Sequence, residues 1–210
     1  MARLILIRHA ECVANRDRLA LGRADSPLTE RGLRQAQALG EALAADRVDR
    51  ILSSPLRRAC DTAAPVAQRR ELPVGAIDAL TEMDIGELEG LTWPQARERF
   101  AAFLDEWRGP QAALVRMPGG ESLVEVQARA WEAVAPLLTA DDDRTAVVVS
   151  HNFVIRALIC RALDLDLSHF RRFELDLAAR SVLVRRGGLN VLLSLNDLSH
   201  LRADAADERA

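Results

Sequence analysis

Uninterrupted apolar runs and stretches of helical periodicity alternate along this chain. Residues 3–7 and 145–149 form two such runs. Runs of this kind are typical of central strands that are covered on both faces, as in parallel sheets. Shorter strands are predicted at residues 50–53 and, from a weaker pattern, at residues 73–77.

Helical periodicity follows the first two predicted strands. Ser54 and Pro55 form an N-cap and first-turn pair for a helix that runs through Ala59 and Thr62, and Pro65 is expected to kink or shorten it. Thr29 can cap an earlier helix, whose apolar positions recur at helical spacing at Leu33, Ala36, Leu39 and Leu43.

The second half of the chain adds helices and then changes to strand-like character. A tight hairpin is predicted at Gly187 and Gly188, because paired glycines suit the left-handed backbone of short hairpin turns. The added elements are helices at residues 122–138 and 152–163 and strands at residues 173–177, 181–185 and 191–195.

The order of these elements indicates an α/β fold, a three-layer sandwich with a mostly parallel central sheet and helices on both faces. A helical segment between Trp93 and Gly119 is predicted as a small cap, inserted at about residues 92–120. One domain is predicted over residues 1–202. Residues 203–210 contain only Ala, Asp, Glu and Arg and are predicted to be a disordered tail.

Composition narrows the function classes. The 210 residues are 49% apolar, which suits one core, and the formal net charge of -3 argues against a nucleic-acid partner. The three cysteines are widely spaced and lack metal-ligand spacing, so no metal is predicted. No stretch approaches the roughly 18 apolar residues of a membrane span, and the N-terminal apolar run is too short for a signal peptide. A cytoplasmic protein without a membrane partner is expected.

Polar side chains follow three of the predicted strands. Arg8 and His9 follow the first, Arg57 and Arg58 lie just beyond the second, and His151 comes after residues 145–149. In open α/β sheets the ligand lies outside the carboxyl ends of the strands, so these side chains are expected to converge. Two histidines with arginines are the composition of an anion site.

Six short motifs then make the chain resemble the histidine phosphatase superfamily, in its phosphoglycerate mutase-like branch. The resemblance extends over nearly the whole chain, and the motifs occur in order. They are LIRHAECVAN at residues 6–15, DSPLTERG at 25–32, SSPLRRACDTA at 53–63, LTEMDIGELEG at 80–90, PGGES at 118–122 and VVVSHNFVIRAL at 147–158.

The resemblance implies a role for each site residue. His9 is the histidine that becomes phosphorylated, and Glu82 is the proton donor, a choice that the residues by themselves leave open among Glu82, Glu87 and Glu89. The implied reaction is hydrolysis of a small phosphorylated metabolite without metal or cofactor. The implied phosphate ligands are Arg8, Arg58 and His151, with Asn15 as a further contact and Asn152 offering its backbone N–H.

Two departures from the family pattern stand out. The family commonly has Gly-Glu-Thr after the Arg-His pair, where this chain has Ala10, Glu11 and Cys12, and a minor hydroxyl contact is expected to be lost at Cys12. The family often has two glycines where this chain has Asn152 and Phe153, so Phe153 is expected either to narrow the pocket or to face the core.

Three other functions compete with this hypothesis. Cys12 and Arg18 match the Cys-x5-Arg signature of cysteine-dependent phosphatases, although the loop between them lacks glycine. A phosphoglycerate mutase is the second alternative, but such mutases usually carry inserted segments that this chain has no room for. The third is a phosphate-binding module without turnover, which the presence of His9, His151 and Glu82 makes the weaker interpretation.

Substrate choice is expected to depend on residues 93–117 and on the loop that holds Gly22 and Arg23. Trp93, Phe100 and Trp107 are spaced seven apart and are predicted to form one buried helix face rather than a ligand site. The last strands could supply an exposed edge for a homodimer. Four arginines of the segment are equally compatible with solvent exposure, namely Arg97, Arg99, Arg108 and Arg116.

Overall fold

A six-stranded mixed sheet forms the centre of the computed structural model, which describes residues 1–139 and 143–201. The strand order is β3-β2-β4-β1-β5-β6, with β1 to β4 mutually parallel and β5 and β6 antiparallel to their neighbours. The α/β class is confirmed, and the parallel part is confined to four strands. The strands are β1 Arg3–Arg8, β2 Arg50–Ser53, β3 Val74–Ala76, β4 Thr145–Ser150, β5 Arg180–Arg186 and β6 Leu189–Asp197.

Helices connect these strands, and two of them lie in the cap segment. In the described residues, short 3-10 turns supplement them at Asp78–Leu80, Gly86–Leu88, Leu167–Arg172 and Ser199–Leu201. The α-helices are α1 Val13–Arg16, α2 Glu30–Ala42, α3 Arg57–Arg70, α4 Trp93–Arg99, α5 Ala101–Arg108, α6 Leu123–Thr139 and α7 Asn152–Ala162.

Two apolar clusters cover the two faces of the sheet. Leu4 and Leu6 of β1 belong to the cluster that contains the buried residues of α6 and α7. Ile5 and Ile7 belong to the other cluster, with the buried residues of α2 and α3. Because successive side chains of a strand point to opposite faces, the uninterrupted apolar run in β1 serves both layers. The molecule is therefore layered as helix, sheet and helix.

The predicted details of α2 and α3 need three corrections. Thr29 caps α2 as expected, by accepting a hydrogen bond from the Gly32 N–H, but Leu33 is 52% exposed and lies off the buried face. Helix α3 begins two residues late, with Leu56 at the N-cap position, because the Ser54 hydroxyl accepts from the Leu56 N–H. Pro65 does not shorten α3, which continues past it to Arg70. Its ring packs closely against α2, at the side-chain-free Gly40.

The predicted strand at residues 173–177 is wrong, because this segment is irregular. Its backbone groups form hydrogen bonds with side chains: the Asp176 N–H donates to Asn196, and the Leu175 carbonyl accepts from Arg8. A ladder of strand hydrogen bonds is replaced by contacts that hold the segment near the end of β1. The hairpin at Gly187 and Gly188 is confirmed, with φ of 54° and 85°.

Some predictions concern residues outside this description. The tail at 203–210 lies there, as do the first two residues of the acidic turn at 141–143. A single domain over residues 1–202 stays a prediction. Within the described ranges, no helix is long and apolar enough to cross a bilayer.

Candidate active site

His9 and His151 lie side by side because two neighbouring strands end together. β1 and β4 are paired in register, with Arg8 opposite Ser150, so the residues that follow each strand are neighbours. The ring centroids of the two histidines are 5.1 Å apart, and both side chains are buried. The predicted convergence at the carboxyl ends of the strands is confirmed for this pair.

The hydrogen bond of His9 defines which ring nitrogen is free. Nδ1 lies 2.8 Å from the carbonyl oxygen of Ala10. A carbonyl can only accept, so Nδ1 carries the hydrogen and the neutral ring has its lone pair on Nε2. Burial, and then the charges of Arg58 and Arg8, hold the pKa of His9 well below its usual value. The ring is therefore neutral near pH 7, with the lone pair of Nε2 free of any proton.

His151 is held from a third strand end. Its Nε2 lies 2.7 Å from the hydroxyl oxygen of Ser54, the residue that follows β2, and Nδ1 is buried without a hydrogen-bond partner. Burial lowers the pKa of His151 well below its usual value, and the neighbouring His9, Arg58 and Arg8 add to that effect. One ring nitrogen is thus anchored while the other is unused by the protein.

Two arginines, Arg58 fully buried and Arg8 half-buried, flank the histidines. Arg58 is fully buried, and its Nη1 and Nη2 donate to the carbonyl oxygens of Ala24 and Gly22 at 2.8 and 2.6 Å. Arg8 donates from Nη1 to the Leu175 carbonyl at 2.5 Å. Burial lowers the pKa of both guanidinium groups, which nevertheless keep their charge. Each arginine is thereby fixed by the backbone of a neighbouring loop.

The structure separates Glu82 from the two other glutamates of its motif. Glu82 is 4% exposed, and its oxygens accept from the backbone N–H groups of Met83 at 2.8 Å and Phe153 at 3.3 Å. Glu87 is exposed, whereas Glu89 accepts three backbone N–H groups of the loop at residues 22–24. Only Glu82 combines burial with proximity to the histidines.

Burial also sets the protonation of Glu82. It raises the pKa of this carboxyl above its usual value, although the two backbone hydrogen bonds and the charges of Arg58 and Arg8 act in the opposite direction. A raised pKa keeps a fraction of the carboxyl protonated closer to neutral pH, which a general acid requires.

Several buried polar atoms of this region have no hydrogen-bond partner among the residues that the structure describes. They share a location around the two histidines, and a buried unpaired N–H costs free energy unless a ligand accepts from it. Such donors suit an anion. The donors are Nε of Arg8, Arg58 and Arg156, and Nδ1 of His151 where it carries the hydrogen, whereas Oδ1 of Asn152 is an unpaired acceptor.

Asn15 contacts Cys12 rather than a site histidine. Its Oδ1 accepts from both the backbone N–H and the thiol of Cys12, at 3.3 and 3.0 Å, and so closes the start of α1. The Cys12 thiol thus still donates a hydrogen bond, and the loss of a hydroxyl contact at this position stays a prediction. Cys12 is fully buried, unlike the accessible thiolate of a cysteine-dependent phosphatase. Phosphate binding by Asn15 and Asn152 stays a prediction.

Sequence reasoning missed Arg156. This residue lies one helical turn after Asn152 in α7, is half-buried, and is close enough to Glu82 for that carboxylate to raise its pKa. Burial lowers the pKa of Arg156, as it does for Arg8. The sequence signal for Arg156 was its spacing of four residues from Asn152, because positions i and i+4 share a helix face.

The aromatic residues of the cap do not form one buried helix face. The segment breaks at Phe100 into α4 and α5, and Trp93 is 53% exposed. Trp93 and Trp107 instead line a cavity of about 340 Å³, together with Phe153. Of the four cap arginines, Arg108 also lines this cavity. Phe153 lines this cavity and also packs against the apolar cluster of α6 and α7, so it has part of each expected position.

In the ranges that the structure describes, no three histidine, cysteine or carboxylate side chains converge to hold a metal ion. Metal-independent chemistry stays a prediction. Its basis is the positive charge that the arginines supply.

Comparison with known proteins agrees with this arrangement. The model of the histidine phosphatase superfamily (branch 1) matches residues 4–198. Phosphoserine phosphatase 1 of Hydrogenobacter thermophilus is 36% identical over 201 residues, which are 96% of this chain and 95% of the relative. The probable phosphoglycerate mutase GpmB of Salmonella choleraesuis is 30% identical, with 99% of both chains covered. The solved structure of Bacillus stearothermophilus YhfR has a TM-score of 0.88 at 30% identity and covers 96% of this chain and 100% of its own.

Proposed function

Because the chain belongs to the histidine phosphatase superfamily, we propose that it hydrolyses phosphate monoesters of small metabolites through a phosphohistidine on His9. The observation that carries this proposal is the state of the His9 ring. It is neutral, it has its hydrogen on Nδ1, and it is surrounded by buried cationic donors.

In the first step, Nε2 of His9 attacks phosphorus in line with the ester oxygen. The new bond joins Nε2 to phosphorus, and the bond from phosphorus to the ester oxygen breaks. The leaving oxygen takes the proton of Glu82, so an alcohol departs and Glu82 becomes a carboxylate. Glu82 can supply that proton because its raised pKa keeps part of the carboxyl protonated.

In the second step, Glu82 accepts a proton from water as the water oxygen attacks the phosphohistidine. The bond from Nε2 to phosphorus breaks, inorganic phosphate forms, and both His9 and Glu82 regain their starting states. Phe153 and Met83 keep the carboxylate in place through their backbone N–H groups.

Arg8, Arg58 and His151 stabilise the charge that develops on the transferring group. Hydrogen bonds to the protein fix their positions, so little reorganisation accompanies the reaction, which is the condition for strong electrostatic catalysis. We infer that these charges replace a metal ion. Arg156 is a further candidate ligand because it lies near Glu82.

The test is to trap the intermediate. The wild-type protein, mixed with 4-nitrophenyl phosphate and quenched within milliseconds in alkali, should carry acid-labile phosphate on His9 by mass spectrometry. His9→Ala should lose both the label and the release of nitrophenol. His169→Gln is the matched control and should retain both. Turnover by His9→Ala at the wild-type rate would refute the mechanism, and binding of phosphate without turnover would favour the non-catalytic module.

The second candidate is a mutase-type phosphotransferase, which the relative named probable phosphoglycerate mutase GpmB favours. The two reactions share the phosphohistidine and differ in what attacks it. Incubation with 3-phosphoglycerate separates them: a hydrolase releases phosphate, whereas a mutase forms 2-phosphoglycerate faster than phosphate.

The remaining proposals concern context. A homodimer through the last strands is consistent with the position of β6 at the sheet edge, and sedimentation would test it. A cytoplasmic location stays a prediction.

A further inference from the structure

A cavity lies next to the proposed phosphate site, and the two are joined at Phe153. Phe153 belongs to both, because its backbone N–H donates to Glu82 while the residue lines the cavity. Ile85 and Leu21 also line it, and they lie close in sequence to Glu82 and to Gly22, whose carbonyl holds Arg58. A group esterified to the phosphate that extends past Glu82 towards Phe153 would therefore reach this cavity.

Its walls are flat and apolar. The Trp107 ring stands nearly perpendicular to Phe153, with centroids 6.1 Å apart and an interplanar angle of 77°. Phe103 lies nearly parallel to Trp107, at 6.2 Å and 18°. Aromatic rings prefer such edge-to-face and offset partners, so the walls can accept another ring in the same manner.

The two arginines at the cavity already interact with these rings. The Cζ atom of Arg108 lies 5.6 Å from the centre of the Trp93 ring, and that of Arg171 lies 5.3 Å from the Trp107 ring. Arg171 also donates from Nη2 to the Trp107 carbonyl at 2.5 Å. Their planar groups thus extend the aromatic wall.

We propose that this cavity, here termed the aromatic pocket, binds the leaving group of the substrate, and that this group is an alcohol bearing an aromatic ring. The proposal rests on the hydrolysis proposed above. A volume of about 340 Å³ exceeds what a serine or glycerate moiety fills, and most of the lining is apolar or aromatic, so such a small polar group would leave most of the pocket surface without contact.

A matched pair of esters tests the pocket. Propyl phosphate and 3-phenylpropyl phosphate share a primary alkoxide leaving group, so their intrinsic reactivity is nearly equal and they differ in the ring. Burial of one aromatic ring predicts that kcat/KM for the phenylpropyl ester is about tenfold or more above that for the propyl ester. Phosphoserine, whose leaving group is small and charged, is measured as a third substrate and should have a lower kcat/KM than the phenylpropyl ester.

Variants identify the pocket as the source of this preference. Trp107→Ala should lower the ratio of the two kcat/KM values about tenfold, since it removes one wall. Leu114→Ala lies in the same cap segment, outside the pocket and 65% exposed, and should leave the ratio unchanged. Phe153→Leu provides a second test that keeps the backbone N–H to Glu82, and it should also lower the ratio.

Two results would overturn the aromatic pocket while leaving the proposed function intact: equal kcat/KM for both alkyl esters, or preference for phosphoserine over the phenylpropyl ester. In either case hydrolysis would still depend on His9. Absence of His9-dependent hydrolysis with every ester would instead contradict the proposed function, and the pocket proposal with it. Competitive inhibition by 3-phenylpropanol, weakened in Trp107→Ala, should accompany the expected result.

Discussion

At the scale of single residues, the site depends on which polar atoms are bonded within the protein and which are left for other chemistry. His9 uses one ring nitrogen to hold its tautomer, and His151 uses one to bind Ser54, which leaves one nitrogen of each ring for other chemistry. The carboxyl of Glu82 is buried enough for its pKa to rise. Each of these features is a property of one side chain in its surroundings, and each can be changed singly.

The first prediction concerns Glu82 and pH. Glu82→Gln should lower kcat for alkyl phosphates by about a hundredfold or more, because the leaving alkoxide loses its proton donor. The folded state binds the proton of Glu82 more tightly than the unfolded state, so wild-type stability from this group is complete below pH 4.5 and is lost as pH rises through the folded pKa. Urea titrations at several pH values should show Glu82→Gln gaining stability relative to wild type in that direction. A constant difference between them would contradict the raised pKa.

The second prediction separates two adjacent buried serines. Ser54→Ala removes the hydroxyl that positions His151, and kcat/KM should fall about tenfold, the usual cost of one lost hydrogen bond. Ser53→Ala is the control, since its hydroxyl donates to the Ser54 carbonyl and does not contact His151. Equal losses in the two variants would show that the effect is general packing.

Among the elements, α6 braces the loop that carries Glu82. Arg129 of α6 forms an ion pair with Glu121 through Nε and Nη2, both at 3.0 Å, and it donates to the carbonyls of Ala79 and Glu82 at 2.7 and 3.2 Å. Glu121 in turn accepts the Asp84 N–H at 2.9 Å. The partly buried pair of Arg129 and Glu121 therefore holds the loop on both sides of Glu82.

The third prediction is that this brace positions Glu82. Arg129→Met should lower kcat about tenfold and shift the alkaline limb of its pH profile, because Glu82 is no longer held at its burial depth. Arg69→Met breaks an exposed pair with Glu41 and should alter neither quantity. A fall in stability without any shift of the pH profile would assign Arg129 a purely structural role.

At the scale of the whole molecule, the two apolar clusters share the same sheet. Strands β1 and β4 contribute alternate residues to both, so loss of one cluster removes support from the other. Trp107 and Trp131 pack against the cluster of α6 and α7, and tryptophan fluorescence therefore reports on that side.

The fourth prediction tests cooperativity across the sheet. Leu39→Ala, on the side of α2 and α3, removes a fully buried side chain and should cost about 2–5 kcal/mol in the free energy of unfolding. Tryptophan fluorescence and far-ultraviolet circular dichroism should shift together, because one domain unfolds as a unit. Leu33→Ala in the same helix is exposed and should change stability by less than about 0.5 kcal/mol. Transitions that separate would contradict the single-domain prediction.

The sequence by itself determined the strands, the Thr29 cap and the strand-end residues Arg8, His9 and His151. These follow from local rules, since side-chain periodicity and capping depend on neighbours in the chain. The six motifs added the family, and with it the choice of Glu82. The sequence could not exclude a strand at residues 173–177, because side chains from β1 and β6 decide where that backbone bonds.

Only the tertiary structure decided how the site is charged and what adjoins it. The register of β1 and β4 places the two histidines together, and burial then sets the pKa of His9 and Glu82 in opposite directions. Arg156 and the aromatic pocket likewise depend on elements distant in sequence. The physical reason is that desolvation and cavity shape are properties of packed surroundings, which residues far apart in the chain create together.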